Sequence, residues 1–257
     1  FKCNRLPQQE SRIFPCGNFG DLEQRRSGLV GTDRGDTLMG LTHGSRIATD
    51  GLHKCLDAAN PRSFPSDNTI WHNLVTDKPN LTTTNGRAFL YNGASVGGTT
   101  TTDDGGAIVF DGTDDVVYSY ITYGNALSLS CWLKFSSITN NTFFATSSVS
   151  PVINFGHWGG TLFTALRGTK YNNYTPDLNR WYNYVATFDT SYQKHYIDGE
   201  LFASHSTSNS NSISITNALL TIGYQLHGEM SQALVYDQIL SEQEVRQNYL
   251  ASRGRYV

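Results

Sequence analysis

The chain has 257 residues, a formal net charge of -3, 38% hydrophobic residues, 16% charged residues and 24 glycines. Nothing in that balance provides the concentrated basic face of a nucleic-acid binder, and no apolar run reaches the roughly 18 residues that span a bilayer, so a soluble protein with neither partner is expected. Glycine and long Ser/Thr/Asn stretches favour turns and many short strands over helices.

Residues 1 to 38 are polar, contain Pro7 and Pro15, and sustain no hydrophobic period. They read as an irregular N-terminal extension, and residues 1 to 20 lack the basic-then-apolar order of a secretory signal. The main bulky apolar side chains of this extension, Ile13, Phe14, Phe19 and Leu22, are candidate assembly contacts. A segment without its own core becomes ordered by lying across a neighbouring subunit or by packing back on its own domain, and the two outcomes weigh nearly equally. Residues 39 to 257 read as one domain, within the usual size of a single all-β unit.

The first strand-like stretch is Ile47 to Leu56, closed by the turn signal Asn60-Pro61. Short strands are expected at Ile108 to Phe110 and Val116 to Tyr118. In Leu127 to Phe135, Leu127, Leu129, Cys131, Leu133 and Phe135 alternate with Ser128, Ser130, Trp132 and Lys134, the two-residue period of a strand with one core face. Trp132 breaks the polar side of that pattern, and a neighbouring loop is expected to cover it. Further strands are expected at Val152 to Phe155, Leu162 to Leu166, Trp181 to Phe188, Leu219 to Ile222 and Met230 to Tyr236. Asp198-Gly199, set between two apolar segments, predicts a tight hairpin. Ser241 and Glu244 fit a capping box opening a short helix expected to dock through Val245 and Tyr249, with Leu250 as a further candidate. Roughly ten strands with regular turn signals make an all-β, two-sheet antiparallel sandwich with one C-terminal helix the expected fold.

Of the four cysteines, Cys55 and Cys131 sit in apolar strand contexts and are expected as reduced thiols. Cys3 and Cys16 remain open to pairing across a short loop.

Several landmarks follow one another in a fixed order: Thr49-Asp-Gly-Leu52, Leu56-Asp-Ala-Ala-Asn-Pro-Arg-Ser-Phe64, Trp71-His-Asn-Leu74, Ile108-Val-Phe-Asp-Gly-Thr-Asp-Asp115, Leu129-Ser-Cys-Trp-Leu133, Arg180-Trp-Tyr-Asn-Tyr-Val-Ala-Thr187, Tyr196-Ile-Asp-Gly199 and Gly228-Glu-Met-Ser-Gln232. The order ends with the run from Tyr236 to Tyr249 and with Arg253-Gly-Arg-Tyr256. From about Gly40 onward it resembles the laminin-G-like, concanavalin A-like jelly roll carried by structural proteins of tailed phages. That resemblance implies a non-catalytic virion structural or decoration protein, exposed on the particle in many copies or as a homo-oligomer among other virion proteins. A glycan-binding adhesin that meets a cell-surface glycan is the alternative, and a glycoside hydrolase ranks third, since one fold carries all three.

A retaining glycosidase of this type sets two carboxylates about 5 Å apart, usually as Glu-x-Asp-x-x-Glu on one strand face, and this pattern does not occur in the chain. No catalytic residue is assigned. Asp111-Gly-Thr-Asp114-Asp115 offers oxygen ligands, and laminin-G relatives bind calcium in some cases. Its spacing departs from a regular calcium-loop series, so a turn rich in Asp is preferred and no cofactor is assigned. The seven histidines form no zinc pair. For glycan binding the candidates are His157, Trp158, Tyr171 and Tyr174, aromatic or imidazole rings with polar neighbours in loop-like contexts. The competing and heavier reading is that they cap the sandwich edge.

Overall fold

The computed structural model describes residues 46–64, 70–75, 87–90, 106–113, 115–138, 140–147, 153–166, 169–206 and 214–257. The chain divides into a unit of residues 1–41 and a unit of residues 42–257, and all described residues belong to the second. Ile13, Phe14, Phe19, Leu22, Cys3 and Cys16 lie outside the described residues.

Fifteen strands are described: β1 (Leu52–Asp57), β2 (Ile70–His72), β3 (Arg87–Leu90), β4 (Ile108–Asp111), β5 (Val117–Tyr123), β6 (Leu127–Phe135), β7 (Asn140–Ser147), β8 (Ile153–Trp158), β9 (Thr161–Leu166), β10 (Thr169–Asn172), β11 (Trp181–Phe188), β12 (Tyr192–Ile197), β13 (Glu200–Ser206), β14 (Ile215–Ile222) and β15 (His227–Tyr236). Helix α1 (Glu242–Ser252) and a 3-10 turn, Arg253–Arg255, follow. One sheet has seven strands in the order β1-β15-β6-β11-β12-β13, with β4 also paired to β15, and the other has eight in the order β10-β9-β8-β7-β14-β5-β3-β2. Every described pairing is antiparallel. The two-sheet antiparallel sandwich expected from the sequence is the observed architecture.

The core follows from the alternation. Leu127, Leu129, Cys131, Leu133 and Phe135 of β6 meet Tyr182, Tyr184, Ala186 and Phe188 of β11 and Phe143, Phe144, Phe155 and Leu162 of the opposite sheet in one buried cluster. Strand β1 begins at Leu52 rather than Ile47, because Gly51 adopts a positive φ of 62° and the Leu52 N–H donates to the Thr49 carbonyl in a turn. Strand β7 escapes a period-two reading for a similar local reason. A bulge between Thr142 and Phe144 opposite β8 lets two consecutive residues, Phe143 and Phe144, be fully buried.

The Asp198-Gly199 hairpin forms as expected, with φ of 51° and 82° and the pair Ile197–Glu200 closing it. Glycine is required at the second position twice over, since a Cβ there would also lie 2.9 Å from the Tyr249 Cβ. Trp132 is buried, but under the C-terminal helix rather than a loop. It stacks on Tyr249 and Tyr256 at centroid distances of 5.7 and 4.1 Å, and its indole N–H donates to Ser252 Oγ at 2.8 Å.

The capping box of α1 is present, with the Ser241 side chain accepting from the Glu244 N–H and the Glu244 carboxylate accepting from the Ser241 N–H. Val245 is buried beneath the helix, whereas Leu250 faces solvent. Asn248, also buried, accepts from the Ala48 N–H at 2.6 Å and donates to the Tyr236 hydroxyl at 3.0 Å.

Cys131 is a free, buried thiol. Cys55 is not: it is disulfide-bonded. The apolar neighbours that suggested a reduced thiol reflect the buried position of β1, and burial does not distinguish a thiol from a disulfide.

Candidate functional site

Three connections meet at one end of the sandwich. Ser136, Ser137 and Ile138 follow β6, Asn140 opens β7, Gly159 and Gly160 join β8 to β9, and Leu178 lies between β10 and β11; together they line an open groove of about 420 Å³. That volume falls in the ~300–1,000 Å³ range of small-ligand clefts. The β8–β9 turn is a two-residue hairpin in which Gly159 and Gly160 have φ of 57° and 79°, the left-handed pair that such a turn needs. A Cβ built on either glycine would meet nothing within 4 Å, so the turn backbone is open to approach.

Trp158, the last residue of β8, is 60% exposed. Its cross-strand partners are Asn140 on β7 and Thr161 on β9, which sets an amide and a hydroxyl on either side of an indole on one face of the sheet. The Asn140 side-chain oxygen accepts from the Gly159 N–H at 3.3 Å, linking the platform to the groove. An exposed indole can stack on the apolar face of a ring while flanking polar groups bond its hydroxyls.

His157 points the opposite way. It is 1% exposed and packs among Phe135, Phe143, Tyr174 and Tyr184 at centroid distances of 5.4, 5.7, 6.5 and 5.9 Å. Burial pulls its imidazole down to about 4, opposed in part by the Gly160 backbone, although neither ring nitrogen has a partner in hydrogen-bonding geometry. Tyr174 is half-buried and lies edge-on to Tyr182, Tyr184 and Phe202. The four sequence candidates are therefore divided. His157 and Tyr174 belong to the interior aromatic cluster and Trp158 faces solvent, while Tyr171 sits opposite Phe163 in β10 with its side chain outside the described part. His157, Trp158 and Tyr171 lie on strands rather than loops, and that alternation turns neighbours to opposite faces.

Asn140, Thr161 and the Ser136–Ile138 segment were not singled out by sequence reasoning. Their relation to Trp158 is one of strand register, and the nearest signal was the Gly159-Gly160 pair itself. Asp111 and Asp115 use their carboxylates within a turn, accepting from the Thr113 N–H at 2.7 Å and the Asp111 N–H at 3.0 Å; Asp114 lies outside the described residues. Among the described residues no group of three or more His, Cys, Asp or Glu is placed to hold a metal.

A second polar constellation bridges the two sheets near this end. The Thr164 hydroxyl donates to Gln193 Oε1 at 2.8 Å and lies 3.0 Å from His195 Nε2, while Asn172 Nδ2 lies 2.6 Å from His195 Nδ1 and Asn172 Oδ1 lies 2.7 Å from His205 Nε2. Because the hydroxyl proton is committed to Gln193, His195 donates from Nε2 and accepts at Nδ1, which assigns a single neutral tautomer. Burial, then repulsion from His205, pulls His195 down to about 3.

A laminin G-like model of the concanavalin A-like lectin/glucanases superfamily matches residues 102–246, more than half of the chain. The chain belongs to that superfamily. Solved structures similar to it include the botulinum neurotoxin serotype D binding domain, with a TM-score of 0.57 and 14% identity over 78% of this chain and 50% of that one. A complex of that neurotoxin's ligand binding domain with N-acetylneuraminic acid gives a TM-score of 0.56 and 15% identity over the same shares. Domain 4 of AbnA, a GH43 extracellular arabinanase from Geobacillus stearothermophilus, in complex with arabinotriose, gives 0.54 and 18% identity over 78% of this chain and 98% of that domain. At these identities the likeness is one of fold, and this superfamily member spans half the length of the neurotoxin chains it matches. A search of the curated proteins finds no match.

Proposed function

We propose that this chain is a non-catalytic, glycan-binding module carried on the surface of a virion. The observation that carries the glycan reading is Trp158, 60% exposed between Asn140 and Thr161, next in the chain to Gly159 and paired across strands with Asn140, both of which line an open groove. Membership of a lectin-containing superfamily supports it, as do fold neighbours solved with arabinotriose and with N-acetylneuraminic acid. The use made of four of the described carboxylates supports a binding role over hydrolysis. Asp57 pairs with Arg255, Glu229 with Lys134 and Asp198 with Arg180, and Glu244 caps a helix, so each is engaged in holding the fold.

Placement on a virion is supported by the ordered landmarks from Thr49 to Tyr256, which resemble those of tailed-phage structural domains. The Cys55 disulfide is chemistry of an oxidising surrounding and supports an extracellular surface. Two measurements test the proposal. A broad glycan array probed with the full chain should give binding that Trp158→Ala removes, and silence across the array sinks the glycan reading. Mass spectrometry of purified particles should find the chain, and its absence there sinks the virion reading.

A further inference from the structure

We infer that the Trp158 end takes a neutral oligosaccharide and discriminates against acidic ones; the inference rests on the glycan reading above and narrows it. None of the groove-lining residues, Ser136, Ser137, Ile138, Asn140, Gly159, Gly160 and Leu178, carries an ionisable side chain. The flanking partners of Trp158 are an amide and a hydroxyl. These groups offer hydrogen bonds to sugar hydroxyls and no counter-charge to a carboxylate, sulfate or phosphate.

A cation does stand nearby, but it is already engaged. Arg180, two residues beyond Leu178, contacts Asp198 at 3.0 Å and Asp177 at 4.0 Å, donates to the Tyr182 hydroxyl at 3.2 Å and lies over the Tyr182 ring at 4.3 Å. Recognition of an acidic sugar usually relies on a guanidinium fork presented to both anionic oxygens, and here the fork faces two carboxylates of the protein. Two negative groups around one positive group leave local charge that repels an anionic ligand. Of the imidazoles near this end, His157 is buried and held neutral, and His195 and His205 are each engaged with Asn172. Among the described residues, what remains for affinity is stacking on the indole and hydrogen bonding at its flanks, which is insensitive to salt.

The test is calorimetric titration of the full chain with arabinotriose and cellotriose as neutral probes, and with sialyllactose and trigalacturonate as acidic ones, at low and high salt, after a broad array. The expected result is binding of a neutral probe, little changed by salt, and weakened at least about tenfold by Trp158→Ala, equivalent to ~1.4 kcal/mol, with the melting temperature unchanged. Tighter binding of an acidic probe that fades with added salt overturns the inference while leaving the glycan reading intact. Binding that survives Trp158→Ala overturns the site. Absence of binding to every probe and to the array overturns both.

Discussion

Two buried imidazoles make the stability of this protein depend on mild acid. His157 and His195 are each 1% exposed, and burial sets them at about 4 and about 3 against an ordinary value of 6.5. Below 6.5 the unfolded chain therefore binds protons that the folded chain refuses. Their contribution is complete above about pH 6.5 and is lost progressively as the pH falls towards 4 and then 3, by on the order of 3 kcal/mol or more for each. His157 is the simpler to isolate, because its neighbours are aromatic and neither of its nitrogens is hydrogen-bonded. A His157→Phe variant should melt at or above the wild-type temperature at pH 5 and vary less with pH between 6.5 and 4. Parallel melting curves for the two proteins across that range would show that His157 is not the titrating group. At this scale the sequence was only half legible: His157 and Trp158 are adjacent and equally noticeable, and which of them faces solvent is set by the pairing of β8 with β7 and β9.

The C-terminal element is held by polar groups as much as by its apolar face. Val245 is fully buried, in keeping with the spacing of apolar residues, but the end of the chain is latched by charge. Arg255 makes a two-armed contact to Asp57, at 2.8 and 2.7 Å, and Tyr256 donates to Ser231 Oγ at 2.8 Å. Burial alone would lower the Arg255 pKa, yet its hydrogen bonds to Asp57 hold it above its ordinary value. The Asp57 side chain is 2% exposed, so removing its partner strands a carboxylate away from water. Arg255→Met should cost ~3–5 kcal/mol in urea unfolding, and adding Asp57→Asn should recover part of that loss. If the single and double variants are equally stable, the pair is not a buried couple. The Arg253-Gly-Arg-Tyr256 ending, noticed in the sequence only as a landmark, thus has a structural task. That task could not be read locally, because its partner lies 198 residues earlier in the chain.

For the molecule as a whole, a binding role predicts no sustained turnover of any polysaccharide by the purified full chain. Reducing-sugar release that disappears on substitution of a single Asp or Glu would overturn the non-catalytic reading. The sequence by itself determined the fold class, the bounds of β6 and β11, the Asp198-Gly199 hairpin and the capping box of α1. Each of these is written in residues close together in the chain, through side-chain alternation, positive-φ turn residues or a four-residue cap. Tertiary structure alone decided the double burial of Phe143 and Phe144 at a bulge, the covering of Trp132 by a helix more than a hundred residues away, the disulfide state of Cys55, and the gathering of Asn140, Trp158 and Thr161 on one face. The physical reason is common to most of these: a strand's partners, register and cover are fixed by contacts between distant segments, and no local pattern encodes which segments will meet.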